Sequence, residues 1–353
     1  MDILNRRKTR QVKVGNLIIG SENRVIIQSM TTTRPSDIEE TVKQILALEK
    51  EGCELVRVTV PTMEDAQAIS KIKEMIHIPL VADIHFDYRL AIESIKNGID
   101  KLRLNPGNIG DRKRVEEVVK YAKEYGVPIR IGVNSGSLSK EILEKYKKPC
   151  PEAIVESAME HILILEELDF KDIIISLKSS DVIETILSYQ LLAQKVDYPF
   201  HIGITEAGTK FGGTIKSSVG IGSLLVLGFG DTLRVSLTGD PTEEIRVAKG
   251  ILKSLKLRDK GVNVISCPTC GRCNINLVKI ATEVEKKLSE IDKNITVAIM
   301  GCIVNGPGEA READIGIAGG INEAILFKKG EIVRKINEDK IIDELLEEIE
   351  RME

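Results

Sequence analysis

The chain of 353 residues has no tryptophan, and aromatic residues make up only 3% of it. Single-stranded nucleic acid is usually gripped by aromatic platforms, so that class of partner is disfavoured. Excess positive charge is lacking too: 50 Lys and Arg stand against 54 Asp and Glu, a net charge of -4. Nonspecific nucleic-acid binding needs a basic face, and no nucleic-acid partner is expected. No apolar run reaches the length of a bilayer span. Met1–Lys8 is charged and has no apolar stretch behind it. A cytoplasmic protein without a membrane partner is expected. Cysteines are few and uneven: Cys53 and Cys150 stand alone, Cys267, Cys270 and Cys273 cluster, and Cys302 follows. That spacing suits a metal site better than a disulfide framework.

What is present is aliphatic, since hydrophobic residues make up 42% of the chain. The length allows two domains of ordinary size. From residue 24 to about 255, short β-branched runs alternate with amphipathic stretches. Eight strands are expected at Val25–Met30, Glu54–Val60, Leu80–Ile84, Lys101–Leu104, Ile129–Val133, Asp172–Leu177, Phe200–Ile204 and Leu233–Leu237. Helical spacing appears at Ile38–Lys50, Arg112–Tyr125 and Pro151–Leu168. Strict βα alternation implies a parallel sheet, and eight units imply an α/β fold of the (β/α)8 TIM-barrel type. An open doubly wound sheet is less favoured, because no Gly-rich dinucleotide fingerprint follows the first strand. Residues 1–23 are expected to form a hairpin over the barrel floor. The polar stretch Arg258-Asp259-Lys260-Gly261 divides a domain 1–257 from a domain 258–353. The second domain reads as α+β, with a helix at Leu277–Ile291, a strand at Thr296–Met300 and an acidic final helix at Glu338–Glu353.

Four of the expected strands carry an arginine between apolar residues: Arg57, Arg103, Arg130 and Arg234. Strand side chains alternate faces. Arg57 then shares a face with Thr59, Arg103 with Asn105, Arg130 with Asn134, and Arg234 with Ser236. The apolar neighbours face the helices, so the polar set points into the barrel near the carboxyl ends of its strands. Asp83, His85 and Lys178 occupy equivalent places. One arginine of this kind is usually matched by a nearby carboxylate. Four together repel and need an anion among them, and guanidinium forks suit phosphate oxygens. A substrate with two phosphate-like groups, or one diphosphate, is expected. Glu206, beside Thr205 after the seventh strand, is a proton donor or merely neutralises an arginine. His201 opens the same strand at its other end, where a core or floor role is expected.

Cys267-Pro268-Thr269-Cys270-Gly271-Arg272-Cys273, followed by Cys302, is a thiolate set for zinc or an iron–sulfur cluster. Pro268 and the small neighbours favour iron. The fourth position is contested: spacing favours Cys273, and Glu309 is the alternative. A zinc-braced binding protein for a phosphorylated metabolite is the rival from another class. A dihydropteroate-synthase-like transferase is a second.

The ordered motifs Arg6-Arg7-Lys8-Thr9-Arg10, Gln28-Ser29-Met30-Thr31, Ala82-Asp83-Ile84-His85-Phe86, Arg103-Leu104-Asn105-Pro106-Gly107-Asn108, Gly132-Val133-Asn134-Ser135-Gly136-Ser137-Leu138, Thr205-Glu206-Ala207-Gly208, Cys267-Pro268-Thr269-Cys270-Gly271-Arg272 and Asn305-Gly306-Pro307-Gly308-Glu309 span nearly the whole chain. Together they resemble the bacterial 4-hydroxy-3-methylbut-2-enyl diphosphate synthase family, in its two-domain form. The resemblance implies a 4Fe–4S cluster on Cys267, Cys270, Cys302 and Glu309, in a domain resembling that of sulfite and nitrite reductases. It implies 2-C-methyl-D-erythritol 2,4-cyclodiphosphate as substrate and (E)-4-hydroxy-3-methylbut-2-enyl diphosphate as product, in the non-mevalonate isoprenoid pathway. Ferredoxin or flavodoxin would supply electrons. Diphosphate contacts would fall on Arg57, Arg103, Arg130, Lys178, Arg234 and Ser236, with Asn134 nearby, and Glu206 would donate a proton. Cys273 departs from the family pattern. Linker length points to one more property: Lys256–Gly261 spans at most about 20 Å, too short to bring the second domain from the floor over its own barrel mouth. A head-to-tail homodimer with shared sites is expected, as the resemblance also implies.

Overall fold

The structure is a computed structural model that describes residues 5–258, 261–288, 291, 293–304, 308 and 310–352. It divides into two compact units, Met1–Leu257 and Arg258–Glu353. Among the described residues no helix is long and apolar enough to cross a membrane.

The first unit opens with an antiparallel hairpin, β1 (Val12–Val14) and β2 (Leu17–Ile19). Val12, Val14 and Ile19 pack on Ile26, Leu55, Val81 and Ile174 and close the barrel floor. The barrel strands are β3 (Ile26–Met30), β4 (Leu55–Thr59), β5 (Leu80–Asp83), β6 (Lys101–Arg103), β7 (Ile129–Asn134), β8 (Ile173–Lys178), β9 (His201–Ile202) and β10 (Thr232–Leu233). They are parallel in the order β8-β7-β6-β5-β4-β3-β10-β9. The ring is closed between β8 and β9 by the bridge Ile175–Phe200 and the Ile175 N–H to the Pro199 carbonyl, 2.9 Å. β9 and β10 are shorter than their apolar runs. Pro199 has no N–H to offer a ladder. At Gly203 the backbone lies against the Arg234 carbonyl, where a side chain would collide.

The helices begin and end where local chemistry dictates. Asp37 and Asp111 accept backbone N–H bonds at the starts of Ile38–Glu51 and Arg112–Tyr125. Gly52 and Gly126 stop both helices at φ 94° and 66°, a conformation that costs other residues more. Outward strand residues such as Val56, Val58, Leu102 and Ile131 meet helix residues such as Ile45, Ile69, Val118 and Ile162 in one core. Each buried side chain of this kind contributes roughly 1.5–3 kcal/mol.

The second unit is a five-stranded mixed sheet in the order β11 (Asn263–Ser266), β12 (Thr296–Met300), β13 (Ile315–Gly319), β14 (Glu323–Lys328) and β15 (Glu331–Asn337). The first three strands are parallel and the last two join antiparallel. Helices Leu277–Leu288 and Ile341–Glu350 bury Ile280, Val284, Leu345 and Ile349 against Val297, Ile317 and Leu326. The final acidic stretch begins as a short 3-10 turn at Glu338–Lys340, so its α-helix starts later than periodicity implies.

Candidate active site

The inward faces of the barrel strands carry the four arginines, and the structure brings their side chains together. Asp83 sits between two of them: Arg103 Nη1 donates to Asp83 Oδ1 at 3.1 Å, and Arg57 Nε lies 3.6 Å from Oδ2. Arg57 Nη2 also reaches Met30 Sδ at 2.9 Å. Arg234 donates from Nε and Nη2 to the Glu244 carboxylate at 3.3 and 3.1 Å. Glu244 accepts in addition from Ser29 Oγ and the Leu237 N–H. Arg130 is fully buried, and among the described residues its Nε and Nη1 have no hydrogen-bond partner. Lys178 is buried at the end of β8, beside Asn134 at the end of β7.

The charge imbalance registers in the protonation of these groups. Burial favours the neutral form of Asp83, but Arg57 and Arg103 outweigh it and hold the carboxyl below its ordinary range. Burial pushes Arg57 down to about 10, against the pull of Asp83 and with the push of Arg234 and Arg103. Lys178 is pushed well below its ordinary value by burial, then by Arg130 and Arg234. An anion placed among these groups would ease the burden of like charge on Arg57 and Lys178.

Two glycines, Gly132 in β7 and Gly203 just beyond β9, make room for this cluster. A Cβ on Gly132 would stand 2.7 Å from Arg103 Nε, so the guanidinium lies across the bare backbone of β7. Arg103 Nη2 donates to the Gly132 carbonyl there at 3.0 Å. A Cβ on Gly203 would stand 3.2 Å from Lys178 Nζ. Asn105, grouped with the anion contacts on sequence, is engaged by the same glycine: Oδ1 accepts from the Gly132 N–H and Nδ2 donates to its carbonyl, at 2.8 and 2.9 Å.

The remaining candidates line the mouth. His85 is exposed, with Nε2 3.4 Å from Arg103 Nη1. The Thr205 N–H reaches the Ser179 carbonyl, and Ser236 is half-buried after β10. Glu206 is exposed at φ 51°, a left-handed backbone that costs a non-glycine residue on the order of 1 kcal/mol. Such conformations concentrate at functional sites. Among the described residues Glu206 forms no ion pair, so the neutralising of Arg234 and Arg103 falls to Glu244 and Asp83 instead. His201 lies in the barrel core, fully buried, with Nδ1 2.8 Å from Thr232 Oγ1.

Sequence reasoning missed Glu244, Gln28 and Lys101. Lys101 was legible: it stands two residues before Arg103 and so shares its inward face. Glu244 carries no signal, since an acid in the first turn of helix Pro241–Ser254 is ordinary.

In the second unit, topology gathers the thiols. β11 and β12 are parallel neighbours, with Ser266 beside Ile299, so Cys267 and Cys302 leave the same edge of the sheet. The Gly301 N–H donates to Cys267 Sγ at 3.2 Å. A Cβ on Gly301 would stand 2.7 Å from Cys273 Sγ. All these cysteines are free thiols. The Arg272 backbone N–H and then its side chain lower the Cys270 thiol toward the thiolate. Among the described residues no three His, Cys, Asp or Glu side chains enclose a metal-sized point. Glu309 lies outside the described residues. The donors nevertheless fit an iron–sulfur cluster in kind: free thiols on one edge, an N–H aimed at sulfur, and no side chain at Gly301 to crowd them.

Comparison with known proteins agrees with this division. Residues 9–249 match the family described as the GcpE TIM-barrel domain, and residues 263–351 match the GcpE protein C-terminal domain. A protein of Caldicellulosiruptor saccharolyticus named 4-hydroxy-3-methylbut-2-en-1-yl diphosphate synthase (flavodoxin) is 62% identical, covering 97% of this chain and 98% of its own. A protein of Geobacter sulfurreducens with the same name is 60% identical, covering 98% of each. The dihydropteroate synthase of Stenotrophomonas maltophilia superposes with a TM-score of 0.50 over 70% of this chain and 98% of its own. At 14% identity that likeness concerns the barrel fold alone. With both of its units matched in order, the chain belongs to the GcpE family.

Proposed function

We propose that the chain is an enzyme that opens 2-C-methyl-D-erythritol 2,4-cyclodiphosphate reductively to (E)-4-hydroxy-3-methylbut-2-enyl diphosphate, with loss of water. The observation that carries this reading is the convergence of Arg57, Arg103, Arg130 and Arg234 inside one barrel with too few carboxylates to balance them. The names of its relatives support the same chemistry and name flavodoxin. Ferredoxin is the other donor of that kind. The substrate dianion takes two electrons and one proton and gives a trianionic diphosphate and one water. One ring C–O bond and one C–OH bond break, and one C=C bond forms.

In this reading the barrel residues bind, orient and discharge the diphosphate. The arginines, Lys178 and Ser236 hold its oxygens, with Asn134, His85 and Thr205 at the rim. Asn105 fixes Gly132 so that Arg103 keeps its place. As the ring opens, charge grows on the departing phosphate oxygen, and guanidinium groups already aimed at it stabilise that charge without reorganising. Asp83 and Glu244 keep the arginines charged and in position. Glu206, exposed at the mouth, donates the proton that leaves as water. A 4Fe–4S cluster held by Cys267, Cys270, Cys302 and Glu309 would supply electrons one at a time. A carboxylate is a weak match for cluster iron, which favours Glu309 over Cys273 where exchange is needed.

The enzyme works in the cytoplasm as a head-to-tail homodimer, one chain's barrel completed by the other chain's cluster domain. Glu206→Gln and Cys302→Ser chains are each expected to be inactive. Mixed as confirmed heterodimers they recover part of the activity if sites are shared, and none if they are not. Anaerobically purified protein supplied with the cyclodiphosphate and reduced flavodoxin tests the reaction itself. Formation of the open diphosphate is expected. A colourless protein with stoichiometric zinc and no product would overturn the reading in favour of a binding protein.

A further inference from the structure

Below the arginines lies a buried cation that the proposed reaction does not use. Lys101, on β6, is wholly buried inside the barrel. Among the described residues its Nζ has one hydrogen-bond partner, Gln28 Oε1 of β3, at 3.4 Å. The charged groups acting on it are Arg130 of β7 and Arg57 of β4. His201 of β9 is within electrostatic reach, and among the described residues its Nε2 also has no partner. Asp83 of β5 is already divided between Arg57 and Arg103, and Lys178 of β8 adds a further positive charge. Among the described residues no carboxylate faces Lys101 itself.

Fully protonated, Arg57, Arg103, Arg130, Arg234, Lys101 and Lys178 carry six positive charges, against two on Asp83 and Glu244. Guanidinium groups keep their protons, so in the empty barrel the imbalance is relieved at the lysines. Burial, then Arg130 and Arg57, hold Lys101 well below its ordinary value. The two lysines differ in access. Lys178 ends its strand at the mouth and can touch an anion directly. Lys101 sits two residues below Arg103, a rise of about 6.6 Å, and can only feel the anion's field.

We propose that the barrel takes up a proton together with its diphosphate, and that Lys101 is the group that receives it. This rests on the diphosphate reading above. An anion roughly 8 Å away, across an effective dielectric of about 20, raises the proton affinity of an amine by about thirtyfold per unit charge. A dianion raises it by about a thousandfold. The cyclic substrate suits the purpose, because its phosphates have no second ionisation and stay dianionic at neutral pH. Lys101 is then a positioning residue: once charged, it holds Arg130 and Arg57 upward toward the anion by repulsion.

Titration calorimetry on the anaerobic, iron-loaded full chain, without reductant, tests this. The cyclodiphosphate is titrated in buffers of unequal ionisation heat. The wild type is expected to take up about one proton per anion more than Lys101→Met does, any further uptake belonging to Lys178. Affinity then falls about tenfold per pH unit as pH rises through the window between the empty and filled states of Lys101. Lys101→Met is expected to bind without that proton and to lose the part of the pH slope that it contributes. A wild type that binds without proton uptake overturns the inference whatever the variant does. Uptake that is undiminished in Lys101→Met, or in Lys101→Gln if the first variant does not fold, assigns the proton elsewhere and overturns it too. No binding heat at all overturns the diphosphate reading itself, and this inference with it.

Discussion

Glu244→Gln separates the two things a carboxylate beside Arg234 can do. Glu244 is buried and accepts from Arg234 Nε and Nη2, Ser29 Oγ and the Leu237 N–H. At 3.1 Å the ion pair is worth roughly 5 kcal/mol of Coulomb energy at an effective dielectric of about 20. Much of that offsets the desolvation of both groups. Removing one partner of a buried pair costs about 3–5 kcal/mol, because the other charge is stranded. Glutamine keeps one acceptor oxygen, so a loss of about 2–3 kcal/mol is expected. At about 3 °C per kcal/mol for a unit of this size, the barrel transition should fall by roughly 6–9 °C. The bound anion changes the sign of the argument. With one carboxylate gone, the arginines hold more uncompensated positive charge, so the cyclodiphosphate should stabilise the variant more than it stabilises the wild type. Calorimetric melting with and without the cyclodiphosphate reads both quantities. A loss below about 1 kcal/mol in the empty protein, with equal ligand-induced shifts in variant and wild type, would refute the idea that Glu244 stands in for an anion.

Gly132→Ala puts a methyl 2.7 Å from Arg103 Nε. The guanidinium must move, so KM for the cyclodiphosphate should rise about tenfold or more, a loss typical of one charged contact, while iron content stays unchanged; steady-state kinetics and iron analysis check this. Two histidines tie stability to pH, His201 fully buried and His161 half-buried. Burial lowers His161 to about 4, and burial, then Arg130 and Lys178, push His201 well below its ordinary value. Each stays neutral in the fold but protonates near pH 6.5 when unfolded. Stability is therefore complete above about pH 6.5 and falls as pH drops below it, by about 1.4 kcal/mol per pH unit for each histidine. Denaturant unfolding between pH 7.5 and 5.5 should show the combined slope, and His201→Gln should halve it. Below about pH 4 a further loss is expected from Asp83, whose carboxylate is held below its usual range by the fold.

The barrel was legible because its signal is repeated. Each βα unit writes a β-branched run, a turn and a helical stripe, and a misread boundary in one unit does not disturb the others. Helix Arg112–Tyr125 fell within its expected bounds, since Asp111 and Gly126 mark both ends chemically. β9 and β10 were overlong on sequence because an apolar run reports burial, not hydrogen bonding. Phe200 and Ile204 are buried as expected, but Pro199 and Gly203 interrupt the ladder around His201–Ile202. The N-terminal hairpin was legible in outline, yet its partners Leu55, Val81 and Ile174 come from three distant strands that only the closed barrel assembles.

The site divides along the same line. An arginine flanked by apolar residues on a strand can be assigned a face from parity alone, and four such residues converge if the sheet closes. What answers them is set by closure itself. Asp83 lies on a neighbouring strand and could be paired on paper, whereas Glu244 reaches Arg234 from a helix, ten residues later. Gly132 shows how the two kinds of information combine. A glycine inside a strand is ambiguous: it weakens the strand, or it admits something close. Parity turns Gly132 inward, and the adjacent β6 offers an inward arginine in nearly the same register. A side chain at 132 and a guanidinium at 103 then claim one volume, and only a residue without a Cβ leaves it to the guanidinium. Reading each inward glycine together with the long cation on the next strand would have located the anion-facing surface from the sequence, and parity with Arg103 would have placed Lys101 below it.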